Sequence, residues 1–256
     1  MVYRSRFRLG FVNPSGQTLG PQQLWCYLPA SLGAAQTLMG ASASHPMVLK
    51  SDVLGHNYSE ILLPSVAPYA RVYIGFEALV RLTGDAATAG APETWLRPER
   101  FIESDDAEIV ALAGILQQPQ PRATVERIYD WVSHNLSYAG YLADDLGASH
   151  ALLHRNGDCT EYAYLVAALA RAAGIPARMV GGYVEAQDRV LRSIDYHNWA
   201  EVLIDGRWEI VDAQRGRLFP PGPSYLRFRF YRDVATNPIG LAHRYTLRGE
   251  LRPVDA

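Results

Sequence analysis

Lysine is nearly absent from this chain of 256 residues: Lys50 is the only one, and arginine supplies the remaining side-chain cations. Schiff-base chemistry on any other lysine is therefore excluded, and no GxxxxGK run exists to cradle nucleotide phosphates. Cysteine is scarce too. Cys26 and Cys159 form no CxxC pair, and the scattered histidines add no tetrahedral zinc spacing. Asp105-Asp106 and Asp144-Asp145 lack the periodic ligands of a calcium loop and read as cap and loop residues. No metal or organic cofactor is expected. Nowhere does an apolar stretch approach the length of a membrane-spanning helix. A net charge of −2 and a pI of about 6.4 give no electrostatic case for nucleic acid or an anionic membrane as partner. Met1 to Arg6 lead into an alternating strand and not into the apolar core of a signal peptide, so a cytoplasmic protein is expected.

A chain of this length can bury one large or two modest cores. Its first third reads as β. Tyr3, Ser5, Phe7, Leu9 and Phe11 alternate with Arg4, Arg6 and Arg8, a half-buried strand with a basic outer face. Residues 24–28 form a second strand, in which Cys26 alternates with leucines as a buried thiol; a disulfide to Cys159 is the lesser alternative. Runs at 45–50, 58–63 and 70–82 have the same character and predict a sandwich-like β domain over residues 1–82. The small, breaker-rich tract 83–92 opens a linker expected over 83–104. Residues 105–256 follow as an α+β unit. Asp105-x-x-Glu108 caps one helix, and a second begins near Arg122 and buries Val125, Ile128, Tyr129, Val132 and Leu136.

The most informative segment runs Asn156-Gly157-Asp158-Cys159-Thr160-Glu161 and ends its apolar helix at Gly174-Ile175-Pro176. Asp158 with Glu161 three residues later is a capping box, and Gly174 supplies the left-handed residue that stops the helix. Cys159 thus takes the first helical position, where unpaired N–H groups and the macrodipole lower a thiol pKa. Downstream, Asp205-Gly206 joins two apolar-aromatic runs as a two-residue hairpin turn. That turn sets Ile204 against Arg207 and carries Asp212 opposite Trp199. His197 and Asp212 then become diagonal neighbours on one face, about 7–8 Å apart along the backbone, a gap their side chains bridge. A thiol, an imidazole and a carboxylate that orients it form the set needed for covalent acyl transfer, with the Cys159 N–H as one oxyanion donor. Asn135 and Tyr138 are the upstream candidates for a second donor. Trp199 and Trp208 read as core, His134 and His154 as structural or surface groups, and Arg227, Arg229 and Arg232 as a solvated strand face. Residues 138–149 and 187–193 are loops positioned to border an acyl pocket.

Gly157-Asp158-Cys159-Thr160-Glu161, Arg171 to Arg178, Gly181-Gly182-Tyr183, His197 to Val202 and Trp208 to Asp212 together resemble the transglutaminase-like (papain-like thiol) superfamily. The match spans roughly residues 105–215, with the three catalytic-type segments in the family's order. The resemblance implies a Cys159–His197–Asp212 triad, on a central helix packed against an antiparallel sheet. It leaves the reaction open. One reading is a cysteine hydrolase of peptide or amide bonds; a second is an amine acyltransferase, a cross-linker or amide synthase using an acyl thioester or amide donor. The third is a non-catalytic binding module that keeps the fold, against which the intact triad counts.

Overall fold

The computed structural model describes residues 1–33, 35–83, 92–184, 189–220 and 223–254. Residues 84–91 of the expected linker, and residues 187–188 of the second loop, lie outside the described residues. The first part of the chain forms β1 (Val2–Val12), β2 (Gln22–Leu28), β3 (Gln36–Ala43), β4 (Val48–Ser51), β5 (Asn57–Leu63) and β6 (Arg71–Leu82). Next come a 3-10 turn at Pro92–Trp95, α1 (Ala107–Leu116), α2 (Pro121–Asn135), β7 (Ser137–Tyr138), α3 (Ala148–His154), β8 (Asn156–Gly157) and α4 (Cys159–Ala172). The remainder is β9 (Ala177–Val184), β10 (Val190–Leu191), β11 (Tyr196–Ile204), β12 (Arg207–Asp212), β13 (Arg217–Leu218), β14 (Tyr225–Phe230), β15 (Tyr245–Arg248) and β16 (Arg252–Val254).

Two sheets make the N-terminal β-sandwich. One has the order β10-β1-β6-β3 with β16 on β1; the other runs β15-β2-β5-β4. The alternation read in β1 buries Tyr3, Phe7, Leu9 and Phe11 against Leu24, Leu28, Ile61 and Leu63 of the facing sheet. Strand pairing crosses the boundary drawn at residues 83–104. β15 pairs with β2 and β16 with β1, so segments from the end of the chain complete both N-terminal sheets. Strand β3 carries no sequence signal, because Gly40, Ala41, Ser42 and Ala43 lack β-branched or aromatic side chains. It forms by pairing along β6, with a register shift between Leu38 and Gly40.

The third sheet, β13-β12-β11-β9-β14, is antiparallel and carries α4 across one face. Residues 160–171 of α4 are buried all round, as an apolar helix at the centre must be. Ala200, Val202, Val211, Ala177 and Met179 meet it from the sheet, and α1 and α2 close its other sides through Ile109, Leu116, Val125, Ile128 and Val132. Both termini of α4 follow the sequence reading. The Asp158–Glu161 capping box is formed, and Gly174 at φ +78° ends the helix. There Ile175 N–H donates to Ala170 O and Gly174 N–H to Arg171 O, the paired bonds of a Schellman stop. One cap differs from expectation: Asp106, not Asp105, accepts the N–H groups of Glu108 and Ile109. A carboxylate two and three residues before its donors reaches both, whereas Asp105 is one residue too early. Among the described residues no helix is long and apolar enough to cross a membrane, and no group of three metal-binding side chains converges.

Candidate active site

The hairpin that carries the imidazole and the carboxylate forms in the expected register. Ile204 opposes Arg207 and Ala200 opposes Val211, and the turn residues Asp205 and Gly206 both have positive φ, 51° and 77°. That conformation matches the strand twist, which is why Asp-Gly selects it. At the open end of the hairpin His197 Nε2 lies 2.8 Å from Asp212 Oδ2, with both side chains buried. Since a carboxylate only accepts, Nε2 carries the proton and Nδ1 is the ring nitrogen left to take one. Tyr225, on β14, donates its hydroxyl to the same Oδ2 at 2.8 Å, and the Arg215 N–H donates to Oδ1 at 3.2 Å. Trp199 stacks near the imidazole with ring centroids 6.3 Å apart.

Cys159 begins α4, half-buried, with a free thiol. Its side-chain contact is Asn198, whose Nδ2 reaches Sγ at 3.8 Å and donates to Thr160 Oγ1 at 2.8 Å. Among the described residues no hydrogen bond joins Cys159 to His197. The structure thus brings His197 onto Asp212 and sets Cys159 against the residue that follows His197 in the strand. The expected low thiol pKa is not found. Burial, then the Asp158 carboxylate and then that of Asp212 push Cys159 up to about 12, against the Asn198 N–H and the Thr160 hydroxyl, which favour the anion. A carboxylate at the cap offsets the helix N-terminus that was expected to favour thiolate.

A loop is tied to helix α4 by the same capping box. Asp158 Oδ2 accepts the Leu142 N–H and Glu161 Oε1 the Leu146 N–H, each at 3.0 Å. Burial and the neighbouring Asp158 carboxylate push the Glu161 carboxyl up. Of the two expected oxyanion candidates, Asn135 is turned away, donating to Trp131 O of its own helix. Tyr138 stands 56% exposed on β7, which pairs with Gly157, and its electrostatic neighbours include Cys159. Trp199 and Trp208 are core. His134 donates to its own helix at Asp130 O, and His154 packs against His150 with ring centroids 4.3 Å apart and planes tilted by 38°.

The arginines of β14 correct the reading of a solvated face. Arg227 and Arg229 are buried, and Arg232 reaches Glu99 Oε1 at 2.6 Å. Arg227 and Arg178 share the fully buried Glu201, while Arg229 donates to Leu241 O at 3.0 Å. Their alternation looked like a solvated face, but β14, the terminal strand paired with β9, holds Arg227 and Arg229 buried, where the guanidinium groups find internal partners. Cys26 is buried as expected and forms no disulfide. Two site residues escaped the sequence reading. Asn198 sat inside the quoted segment, yet strand alternation turned it from the His197 face; Tyr225 lies in a run with no motif.

Residues 111–213 match the transglutaminase-like superfamily. No curated protein matches the chain. Among solved structures, a protein from Cytophaga hutchinsonii named a putative cysteine protease aligns with TM-score 0.64 at 21% identity, covering 100% of this chain and 94% of that one. The periplasmic domain of TgpA from Pseudomonas aeruginosa aligns with TM-score 0.47 at 19% identity, over 84% of this chain and 88% of that one.

Proposed function

Because this chain carries a transglutaminase-like core at residues 111–213, we propose that it is a thiol acyl-transfer enzyme that hydrolyses peptide or other amide bonds through Cys159, His197 and Asp212. The observation that carries this reading is the buried 2.8 Å bond between His197 Nε2 and Asp212 Oδ2, beside the strand residue that touches the sulfur of Cys159. The ring is thereby held in the tautomer whose Nδ1 accepts a proton.

The reaction begins from the neutral thiol. His197 Nδ1 takes the Sγ proton as sulfur attacks the substrate carbonyl carbon, and the imidazolium is stabilised by Asp212. The carbonyl oxygen gathers negative charge near the Cys159 N–H at the helix start. Collapse breaks the C–N bond, and His197 returns the proton to the departing amine, leaving a thioester. Water then attacks the thioester, giving its proton to His197. The acid leaves, and the proton goes back to sulfur. An amine in place of water would give the transferase outcome with the same residues.

Mass spectrometry with a peptide-amide or thioester substrate, with and without a primary amine, tests this function. The expected result is an acyl adduct on Cys159 that is absent in Cys159→Ala, and acid as the product at every amine concentration. Amide formation that rises with amine would replace hydrolysis by transfer. No adduct on any acyl donor would end the enzymatic reading.

A further inference from the structure

We propose that Asn198 is the positioning residue that steadies the sulfur anion of Cys159, a role that rests on the nucleophile reading above. His197 and Asn198 are consecutive near the start of β11, so their side chains diverge. His197 points toward Asp212, Trp199 and Tyr225. Asn198 points toward the first turn of α4. It is 4% exposed, and its Nδ2 is shared between Thr160 Oγ1 at 2.8 Å and Cys159 Sγ at 3.8 Å. The Asn198 backbone N–H also favours the sulfur anion. One strand residue thus presents its amide to the sulfur, while its neighbour presents the base.

Packing alone does not explain an amide here. Asn198 Oδ1 is buried and has no partner, a costly arrangement that leucine at the same volume would avoid. Orientation of the amide follows from chemistry: turned over, it would set a carbonyl oxygen against a developing thiolate. Gly181, directly opposite on β9, supplies the clearance. A Cβ there would lie 2.8 Å from Asn198 Oδ1 and 2.2 Å from the Tyr196 hydroxyl, so any side chain would dislodge the amide.

The need for a donor is set by what surrounds the sulfur. Asp158 at the helix cap and Asp212 on β12 both oppose its ionisation, His197 is the proton acceptor on β11, and Tyr138 on β7 adds a phenol. Without the amide N–H the anion would form beside two carboxylates with fewer donors to offset them.

The pH dependence of Cys159 alkylation by iodoacetamide decides the matter, read by peptide mapping so that Cys26 does not contribute. Asn198→Leu keeps the volume and removes the donor; Asn198→Asp keeps the shape and reverses the polarity. Removing the donor should raise the alkylation midpoint by about one pH unit, roughly a tenfold loss of thiolate at fixed pH. The aspartate should raise it further. A folded Asn198→Leu protein with the wild-type midpoint overturns the proposal. Should that variant fail to fold, an unmoved midpoint in Asn198→Asp overturns it equally. His197→Ala serves as the separate control: an unchanged profile there would sink the acyl-transfer reading without touching the effect of Asn198.

Discussion

Asp212 uses both carboxylate oxygens, one for the His197 ring and the Tyr225 hydroxyl and the other for the Arg215 N–H. An amide at this position would offer its NH2 or a single oxygen to the ring and lose the tautomer control. Asp212→Asn should therefore lower kcat by about 10⁴-fold with little change in KM, as measured by steady-state kinetics. Tyr225→Phe removes one hydrogen bond to a charged group, for which about a tenfold loss is expected. At the sulfur, a thiol pushed up to about 12 stays protonated across the neutral range unless the imidazole takes the proton. In His197→Ala the alkylation rate should stay low through neutrality and climb only at strongly alkaline pH. A wild-type-like rate at neutral pH in that variant would show that another group activates the thiol.

Helix α4 is an element whose two ends were chemically specified, and each end gives a separable test. Gly174 at φ +78° has open space where a Cβ would stand. Gly174→Ala should therefore cost only the left-handed backbone penalty, about 1–2 kcal/mol in urea unfolding, with unchanged activity per folded molecule. At the other end Asp158→Asn keeps an oxygen for the Thr160 N–H and gives up the hold on the Leu142 N–H. A loss of about 1 kcal/mol is expected. The same change removes the carboxylate that opposes ionisation of Cys159, so its alkylation midpoint should fall. A midpoint that rose would mean the cap charge favours the thiolate, contrary to the geometry.

Across the whole molecule the β-sandwich and the α4 sheet share a core and a hydrogen-bonded seam. Gln36 Nε2 donates to Arg227 O while its Oε1 accepts the Arg227 N–H, and His56 Nε2 accepts the Phe230 N–H at 2.8 Å. Tyr183, Leu191, Leu226 and Phe228 of the C-terminal part pack into the N-terminal core. With β15 and β16 also completing the first two sheets, unfolding should be one cooperative transition by calorimetry, and residues 105–256 alone should fail to fold. Two resolved transitions would contradict this. Asp52 anchors the seam through His56, Thr236 and Asn237. Burial alone would raise its pKa, but the hydrogen bond from His56, with the two further donors, holds it well below the usual carboxylate range. Its contribution is therefore complete above the unfolded value near 4 and fades as pH falls toward the folded one. The stability gap between wild type and Asp52→Asn should accordingly narrow between pH 5 and about pH 2, measured by urea titration at each pH.

Local rules carried the sequence reading as far as they reach. Capping chemistry, the left-handed stop at Gly174, the Asp-Gly turn and period-two alternation each act over a few residues, and they sufficed for α4, the hairpin register and the His197–Asp212 pairing. What failed locally was decided by distant segments. Strand β3 exists because β6 offers it a ladder, Arg227 and Arg229 are buried because Glu201 on β11 and Leu241 O in the segment after β14 meet them, and β15 leaves its sequence neighbours to pair with β2. The surroundings of the sulfur belong to this second kind. Helix position alone argues for a lowered thiol pKa; the adjacent Asp158 opposes it, and desolvation and the Asp212 carboxylate, both supplied by folding, raise it further. Such terms depend on which groups are near in space, a property no window along the chain contains.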